Sequence, residues 1–286
     1  MNAFLKTVTK LLYCIGVIIC LHFMRRIIVA ERFVVPSFSM APTLVPGDHI
    51  WVNKLLMGAR IYKSFDFEHD RKLKCFRIPG IRDIRVGDLI VFNYPYGYDN
   101  LTKIEFKINY VYCKRVVGCP GDRIGVVDAH CWNDSYNKPI GIVSNQEFLR
   151  WMNDSILRQM GSFTTIPYNP ELKWNVKNMG PIVVPKKGMT ILIDDTNIDV
   201  YRQVIKYESG IVPDGEFEYT FKQNWYWGMG DNSAFSYDSR FWGFIPEDFI
   251  IGIVGGKKVR NNPYQTYQLE QNDDHSDGQI QLSEKK

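Results

Sequence analysis

Residues 87–92 of the chain read GDLIVF, a Gly-Asp turn followed by a run of apolar, mostly β-branched or aromatic residues. Glycine adopts the dihedral angles that a tight turn needs, aspartate bonds its own backbone, and the residues after them favour a strand. The same unit recurs as GDHIWV (47–52), GDRIGV (121–126) and, more loosely, GMTILI (188–193). Short strands separated by turns are typical of antiparallel structure, so the sequence predicts a mostly β fold.

One segment shows helical periodicity instead, NQEFLRWMNDSILRQMG (145–161). A helix over this segment would place five apolar side chains on one face: Phe148, Trp151, Met152, Ile156 and Met160. Gly161 would end the helix. We expect this face to pack on a core rather than to bind a cofactor. From about Asn261 the sequence becomes polar, which predicts a disordered tail.

The composition excludes some classes of protein. A chain of 286 residues with 45% hydrophobic residues can bury a substantial core. The net charge of +4 is mild, and no basic patch is interleaved with aromatics, so nucleic acid is not an expected partner. No C-x-x-C and no histidine pair with ligand spacing is present, so no metal site is predicted. The cysteines predict no particular disulfide.

The N-terminus carries a long apolar segment. LLYCIGVIICLHFM (11–24) is followed by two arginines and IIVA, which together give roughly 20 residues able to cross a bilayer if the arginines lie near an interface. We interpret the segment as an uncleaved membrane anchor. A cleaved targeting segment and an amphipathic surface helix are the alternatives. Positive charges flank both sides, so the charge pattern does not determine the orientation.

Two serines lie in the stretch PSFSMAPTL (36–44), between Pro36 and Pro42. The prolines restrict the backbone, and in an extended segment the hydroxyls of Ser37 and Ser39 would face the same way. A nucleophilic serine needs a base, and the histidines offer no obvious one. A lysine is the known alternative, but because its pKa is about 10.4 in water, it must be buried to be neutral at physiological pH.

Lys114 is the candidate for such a base. If YVYCKRVVGCPGD (110–122) is a strand, Lys114 shares a face with Tyr110, Tyr112 and Val116, where aromatic and aliphatic neighbours would remove it from water. The alternative is a lysine on an edge strand whose charged end reaches solvent. The segment alone does not exclude that alternative.

Four stretches, in order, carry a family resemblance: VPSFSMAPTLVPGDHIWVNK (35–54), RVGDLIVFNYP (85–95), YCKRVVGCPGD (112–122) and GDNSAFSYDSRFWGFIPE (230–247). In these stretches the chain resembles type I signal peptidases, the membrane-bound serine proteases that remove signal peptides from exported proteins. The resemblance covers roughly the anchor through residue 256.

The resemblance implies roles for individual residues. Ser39 matches the nucleophile, Lys114 the general base and Ser236 the serine that holds the lysine amine. Ser37 matches the hydroxyl that joins the backbone N–H of Ser39 in the oxyanion hole. Four further positions match residues that brace the site by ion pairing: Arg115, Asp231, Asp238 and Arg240. We expect shallow substrate pockets around these residues, lined by Val35, Pro36, Met40, Tyr112, Cys113 and Tyr237.

The last motif departs from the family pattern. Where the family usually has G-D-N-R-D-N-S-x-D-S-R, this chain has GDNSAFSYDSR, so Ser233, Ala234 and Phe235 replace Arg, Asp and Asn. The spacing to Ser236 and Asp238 is preserved, which predicts that the chemistry is kept. Tyr237 stands where a small alanine is common, so the shape of the pocket is expected to differ.

The family fold is a signal-peptidase-like antiparallel β catalytic core with an inserted second β-rich domain. We therefore expect an N-terminal transmembrane anchor (1–30), a catalytic core in two parts (31–128 and 222–260), an insertion (129–221) and a disordered tail (261–286). The resemblance implies the cytoplasmic (inner) membrane of a bacterium, with the catalytic domain on the extracytoplasmic side. The expected partners are signal peptides of exported preproteins and the lipid bilayer, with no metal or cofactor.

Two other interpretations are weighed against this one. Another Ser-Lys protease, such as a self-cleaving repressor, is disfavoured by the anchor and by the lack of a helix-turn-helix. A catalytically inactive homologue is disfavoured because all four catalytic positions are filled. A further choice concerns Trp225 and Trp227, which would lie either at the bilayer interface or in the core of a strand.

Overall fold

The computed structural model describes residues 2–64, 73–97 and 101–258; the predicted tail (261–286) lies outside them. The α-helices are α1 (Asn2–Met24), α2 (Val143–Trp151), α3 (Asp154–Gln159), α4 (Ile198–Ser209) and α5 (Ser239–Trp242). A π-helical turn, Arg25–Val29, extends α1. Three 3-10 turns complete the helical structure: Phe38–Met40, Pro170–Leu172 and Glu247–Phe249.

Strands form most of the body. They are β1 (Ala30–Val34), β2 (His49–Asn53), β3 (Arg60–Tyr62), β4 (Cys75–Arg77), β5 (Leu89–Asn93), β6 (Val111–Gly118), β7 (Arg123–Val127), β8 (His130–Asn133), β9 (Met179–Val183), β10 (Thr190–Ile193), β11 (Phe217–Thr220), β12 (Trp225–Met229), β13 (Ile245–Pro246) and β14 (Ile250–Lys258). Every pairing between these strands is antiparallel. The predicted mostly β fold is confirmed.

The Gly-Asp turns begin strands as predicted. Gly47, Gly87, Gly121 and Gly188 all have positive φ angles between 79° and 94°, which glycine adopts without steric cost. A strand starts two residues after each of them: β2, β5, β7 and β10. The local turn chemistry therefore sets where these strands begin.

Seven strands form the main sheet, in the order β1-β2-β14-β5-β6-β12-β13. β14, the strand nearest the C-terminus, lies between β2 and β5 and pairs with both. Seven buried residues form a small cluster against this sheet: Val35, Met40, Leu44, Ile50, Val52, Val91 and Ile251. This cluster lies directly under the segment that carries Ser39. A larger cluster fills the rest of the body.

Three smaller sheets accompany the main one. They have the orders β8-β7-β9, β10-β11 and β3-β4. The first two, with α2 to α4, span the expected insertion. β7 pairs with β8 and β9, although the expected boundary at residue 129 assigns it to the first part of the core. The division into domains stays a proposal.

The apolar N-terminal helix stands apart from these sheets. Residues Phe4–Val29 are long and apolar enough to cross a membrane, and none of that apolar window is buried against the body. An exposed apolar helix of this length fits a membrane anchor.

The segment 145–161 is not one helix, contrary to the prediction. α2 ends at Trp151, and the Asn153 side chain accepts a 2.7 Å hydrogen bond from the Ser155 backbone N–H, which caps the start of α3. The buried residues of the two helices are Gln146, Leu149 and Leu157, while four of the five predicted core residues are exposed: Phe148, Trp151, Ile156 and Met160. Phe148 and Trp151 are already exposed in α2, before the break, so the predicted face is also wrong.

The two tryptophans of β12 are core residues. Trp225 and Trp227 are fully buried, and the Trp225 indole N–H donates to Glu208 of α4 over 2.8 Å. Their placement at a bilayer interface is therefore wrong. Helix α4 itself was not predicted, although its buried residues recur at helical spacing: Val200, Tyr201, Val204, Ile205 and Glu208.

Candidate active site

Ser39 lies in a short turn above the small buried cluster. Ser37 has an extended backbone, but Phe38–Met40 form a 3-10 turn, so the expectation of an extended segment through Ser39 is wrong. Met40 and Leu44 are each only 1% exposed and anchor the turn in the cluster. The two hydroxyls are nevertheless neighbours, with Ser37 Oγ 3.3 Å from Ser39 Oγ.

Lys114 reaches Ser39 from the middle of β6. Its Nζ lies 2.8 Å from Ser39 Oγ and 3.1 Å from Ser236 Oγ, and the side chain is 2% exposed. The Tyr112 ring on the same face lies 5.9 Å from Nζ. Burial lowers the pKa of Lys114 to about 8, against a smaller opposing effect of Asp238. An amine with this pKa is neutral in about one molecule in ten at pH 7, whereas a free lysine is neutral in fewer than about one in a thousand.

Gly230 makes room for this arrangement. A Cβ added at Gly230 would lie 2.1 Å from Ser236 Oγ and 2.4 Å from the Ser39 carbonyl oxygen. Both distances are far below van der Waals contact. The absence of a side chain at Gly230 therefore allows Ser236 and the Ser39 backbone to approach one another.

Two ion pairs lie on either side of the site. Arg115 binds Asp231 through two hydrogen bonds of 2.6 Å, and Thr43 also donates to the Asp231 carboxylate. Asp238 and Arg240 are completely buried and are joined by bonds of 2.8 and 2.9 Å. Burial alone would raise the pKa of Asp238, but the charge and hydrogen bonds of Arg240 hold it below its usual value. The Asp238 carboxylate therefore stays ionised at neutral pH.

Sequence reasoning missed two asparagines that connect these parts. Asn145, in α2, donates to the carbonyls of Ala41 and Asp231 over 3.0 and 2.8 Å. The backbone N–H of Asn232 donates to the Ser39 carbonyl over 3.1 Å. No local pattern marks Asn145, because its partners lie 86 and 104 residues away in the chain.

A groove of about 490 Å³ opens onto Ser37, Ser39 and Lys114. The six side chains expected at the substrate pocket all line it: Val35, Pro36, Met40, Tyr112, Cys113 and Tyr237. Further apolar side chains not singled out from the sequence also line it, among them Phe33, Phe38 and Phe235. Within the described ranges, no three His, Cys, Asp or Glu side chains come together to hold a metal ion.

Known proteins show where this chain belongs. Residues 8–257 match the family described as signal peptidase, peptidase S26. Signal peptidase I of Buchnera aphidicola subsp. Baizongia pistaciae is 29% identical over 252 residues, covering 83% of this chain and 72% of the relative. Signal peptidase I of Rickettsia prowazekii is 28% identical, covering 86% of this chain and 78% of that protein.

A solved structure of a signal peptidase I from Enterococcus faecalis also aligns, over 61% of this chain and 99% of its own. Its TM-score is 0.29 at 16% identity, a superposition too weak to bear on the fold. The family match extends over most of the chain, and on that ground the chain belongs to the signal peptidase family, peptidase S26.

Proposed function

We propose that this chain is a membrane-anchored serine endopeptidase that cleaves signal peptides from exported preproteins through Ser39 and Lys114. The observation that carries the proposal is the 2.8 Å approach of a buried lysine amine to a serine hydroxyl at the floor of an open groove. Membership of the signal peptidase family supports the reaction and the class of substrate.

The reaction starts when Ser39 Oγ attacks the carbonyl of the bond to be cut and neutral Lys114 takes the hydroxyl proton. Lys114 returns that proton to the leaving amine, and an acyl-enzyme remains on Ser39. A water molecule activated by Lys114 then releases the acyl group. Ser236, 3.1 Å from Nζ, keeps the amine aimed at Ser39.

The negative oxygen that develops on the substrate needs hydrogen-bond donors. We assign this role to the hydroxyl of Ser37 and the backbone N–H of Ser39, and the 3.3 Å distance between the two serine hydroxyls supports the part of Ser37. The turn that carries Ser39 is fixed by buried Met40, so these donors are oriented before the substrate binds.

Cleavage of a preprotein by the full chain and two variants tests the proposal. We expect Ser39→Ala to be inactive. Lys114→Arg should also be inactive from pH 6 to 10, because a guanidinium does not lose its proton in proteins. Wild-type activity should rise with pH through an apparent pKa near 8. Near-wild-type turnover by Lys114→Arg would mean that Lys114 is not the base.

The proposal includes the topology. We infer that α1 crosses the cytoplasmic membrane of a bacterium and that the catalytic body lies outside the cytoplasm, where signal peptides emerge. A membrane-impermeant thiol reagent applied to intact spheroplasts should label a cysteine introduced at exposed Ile211. Labelling only after the membrane is broken would contradict this orientation.

A further inference from the structure

Two aromatic side chains at one end of the groove have no role in the proposed chemistry. Phe235 lines the groove, and Phe148 of α2 lies beside it with its ring centroid 6.3 Å away. Each side chain is 54% exposed. The pair therefore continues the apolar surface of the groove beyond the groove itself.

The strand segments and the aromatic pair reach the Ser39 turn through different contacts. On one side, the segments Phe33–Pro36 and Val111–Cys113 line the groove and lead directly to Ser37, Ser39 and Lys114. On the other side, Asn232 bonds the Ser39 carbonyl, and Asn145 of α2 bonds the Ala41 carbonyl. These contacts bring the segment of Phe235 and the helix of Phe148 next to the turn that carries Ser39 and to the residues that follow it.

A bound peptide extends in both directions from the bond that is cut. The half before the bond stays attached to Ser39 as the acyl group, and the half after the bond leaves. With the first half along the two strand segments, the second half would pass Phe235 and Phe148. An apolar side chain resting on two half-exposed aromatic rings removes apolar surface of both partners from water, which favours binding.

We propose that Phe148 and Phe235 form a subsite that takes a large apolar side chain of the substrate on the leaving-group side of the cleaved bond. This inference rests on the proposed function of Ser39. Phe235 stands at a position where the family motif usually has asparagine, so the subsite is a property of this chain.

The surroundings of Phe148 favour a peptide over a bilayer as the occupant. Its neighbour Glu147 lies 3.0 Å from His130, and Arg150 lies 3.5 Å from Asp128. These charged groups of both signs flank the aromatic pair on the surface of α2. A hydrocarbon phase would have to strip water from them, whereas a single side chain would not.

The test uses pairs of peptides that are identical up to the cut, with alanine before it. Within each pair, one peptide carries leucine and the other serine at one of the first few positions after the cut. We expect the full chain in detergent to cleave the leucine peptide with about tenfold higher kcat/KM at one position. That preference should fall to about twofold or less in Phe148→Ser and in Phe235→Asn.

Phe76→Ser is the matched control, because Phe76 is half-exposed but lies on β4 and outside the groove. It should keep the wild-type preference. Equal cleavage of both peptides at every position by the wild-type chain, or an unchanged preference in both aromatic variants, would overturn the subsite. If the aromatic variants cleave both peptides more slowly than the wild-type chain, and only in vesicles, then Phe148 and Phe235 contact the bilayer and not the peptide, and the subsite is overturned. Cleavage of neither peptide would overturn the proposed function itself, and the subsite with it.

Discussion

At the scale of single residues, the site depends on keeping one amine out of water. Lys114 is buried, and its pKa of about 8 lies well below that of a free lysine because burial disfavours the charged form. Below pH 8 the folded protein holds a charged group in apolar surroundings, whereas the unfolded chain hydrates it. The burial that would make Lys114 an effective base therefore also lowers the stability of the folded protein.

Lys114→Met should consequently stabilise the protein at neutral pH. The folded-state pKa is lower than the unfolded one, so the wild-type free energy of unfolding rises with pH between about 8 and 10.5. The full pKa difference corresponds to about 3 kcal/mol, from which the lost bonds to Ser39 and Ser236 subtract about 1 kcal/mol each. Urea unfolding in detergent at pH 7 and pH 10 measures the difference between variant and wild type. A variant less stable than wild type at pH 7 would contradict the prediction.

Gly230→Ala should remove most of the activity, although Gly230 itself takes no part in the proposed reaction. The new Cβ would clash with Ser236 Oγ and the Ser39 carbonyl, both of which must shift by about 1 Å. A displacement of that size costs on the order of 100-fold in turnover. Gly256→Ala is the control, because nothing lies within 4 Å of a Cβ there. Turnover of Gly230→Ala within a few-fold of wild type would show that Ser236 need not be so close.

Tyr237 should restrict what is cleaved. Its half-exposed ring lines the groove and stacks on Phe241 with centroids 5.5 Å apart, so it is held in place. We expect alanine or glycine at the last position before the cut, and broader acceptance by Tyr237→Ala. Profiling a peptide library with both proteins measures this. Efficient wild-type cleavage after Phe or Leu would refute it.

At the scale of elements, α2 holds two loops of the candidate active site together. Asn145 bonds a carbonyl in the loop after Ser39 and another in the loop of Asp231. Because the Asn145 side chain bonds both loops, a helix of the expected insertion holds two loops of the expected core in place. The two bonded carbonyls lie 104 and 86 residues from Asn145 in the chain.

Asn145→Ala should lower kcat by roughly tenfold while KM changes little, since the loops lose their common donor but the groove remains. The loss of two hydrogen bonds should reduce the free energy of unfolding by about 1 to 2 kcal/mol. Glu147→Ala, which removes surface pairs with His130 and Arg150, is the control and should change either quantity by little. An unchanged kcat in Asn145→Ala would show that the loops hold their positions without it.

The sequence predicts what is local and misses what depends on distant partners. The Gly-Asp turns were predictable because each turn and the strand after it lie within seven residues. The prediction for 145–161 is wrong because the Asn153 cap divides the segment and because most of its large apolar side chains lie on the exposed side. The side chains beside Lys114 on β6 followed from strand alternation, but its approach to Ser39 came only from the family resemblance, because 75 residues separate the two.

At the scale of the whole molecule, the anchor and the body are nearly independent. α1 is exposed, and the turn after it touches the body through few polar contacts, such as Arg26 with Glu31 and the Lys54 ammonium with the Arg26 carbonyl. The anchor therefore contributes little to the stability of the sheets. Its role is to keep the groove near the membrane.

A chain that begins at Ala30 should therefore fold alone. We expect its melting temperature to lie within a few degrees of that of the full chain, with the same kcat/KM on a short soluble peptide. Cleavage of a preprotein embedded in vesicles should be slower by at least about tenfold, because tethering raises the effective concentration. Equal rates of the two proteins on the embedded preprotein would show that the anchor is dispensable for access.

The position of β14 has a consequence for the timing of synthesis. Ser39 follows β1, and Lys114 lies in β6. Within the main sheet, β14 alone joins the pair β1-β2 to the strands β5, β6, β12 and β13, because it pairs with β2 on one side and with β5 on the other. Among the described strands, β14 is the last that the ribosome makes. Until it emerges, no strand of the main sheet joins the fragment next to Ser39 to the fragment that holds Lys114. A protease built in this order completes the sheet beneath its candidate site only once residues 250–258 have been made.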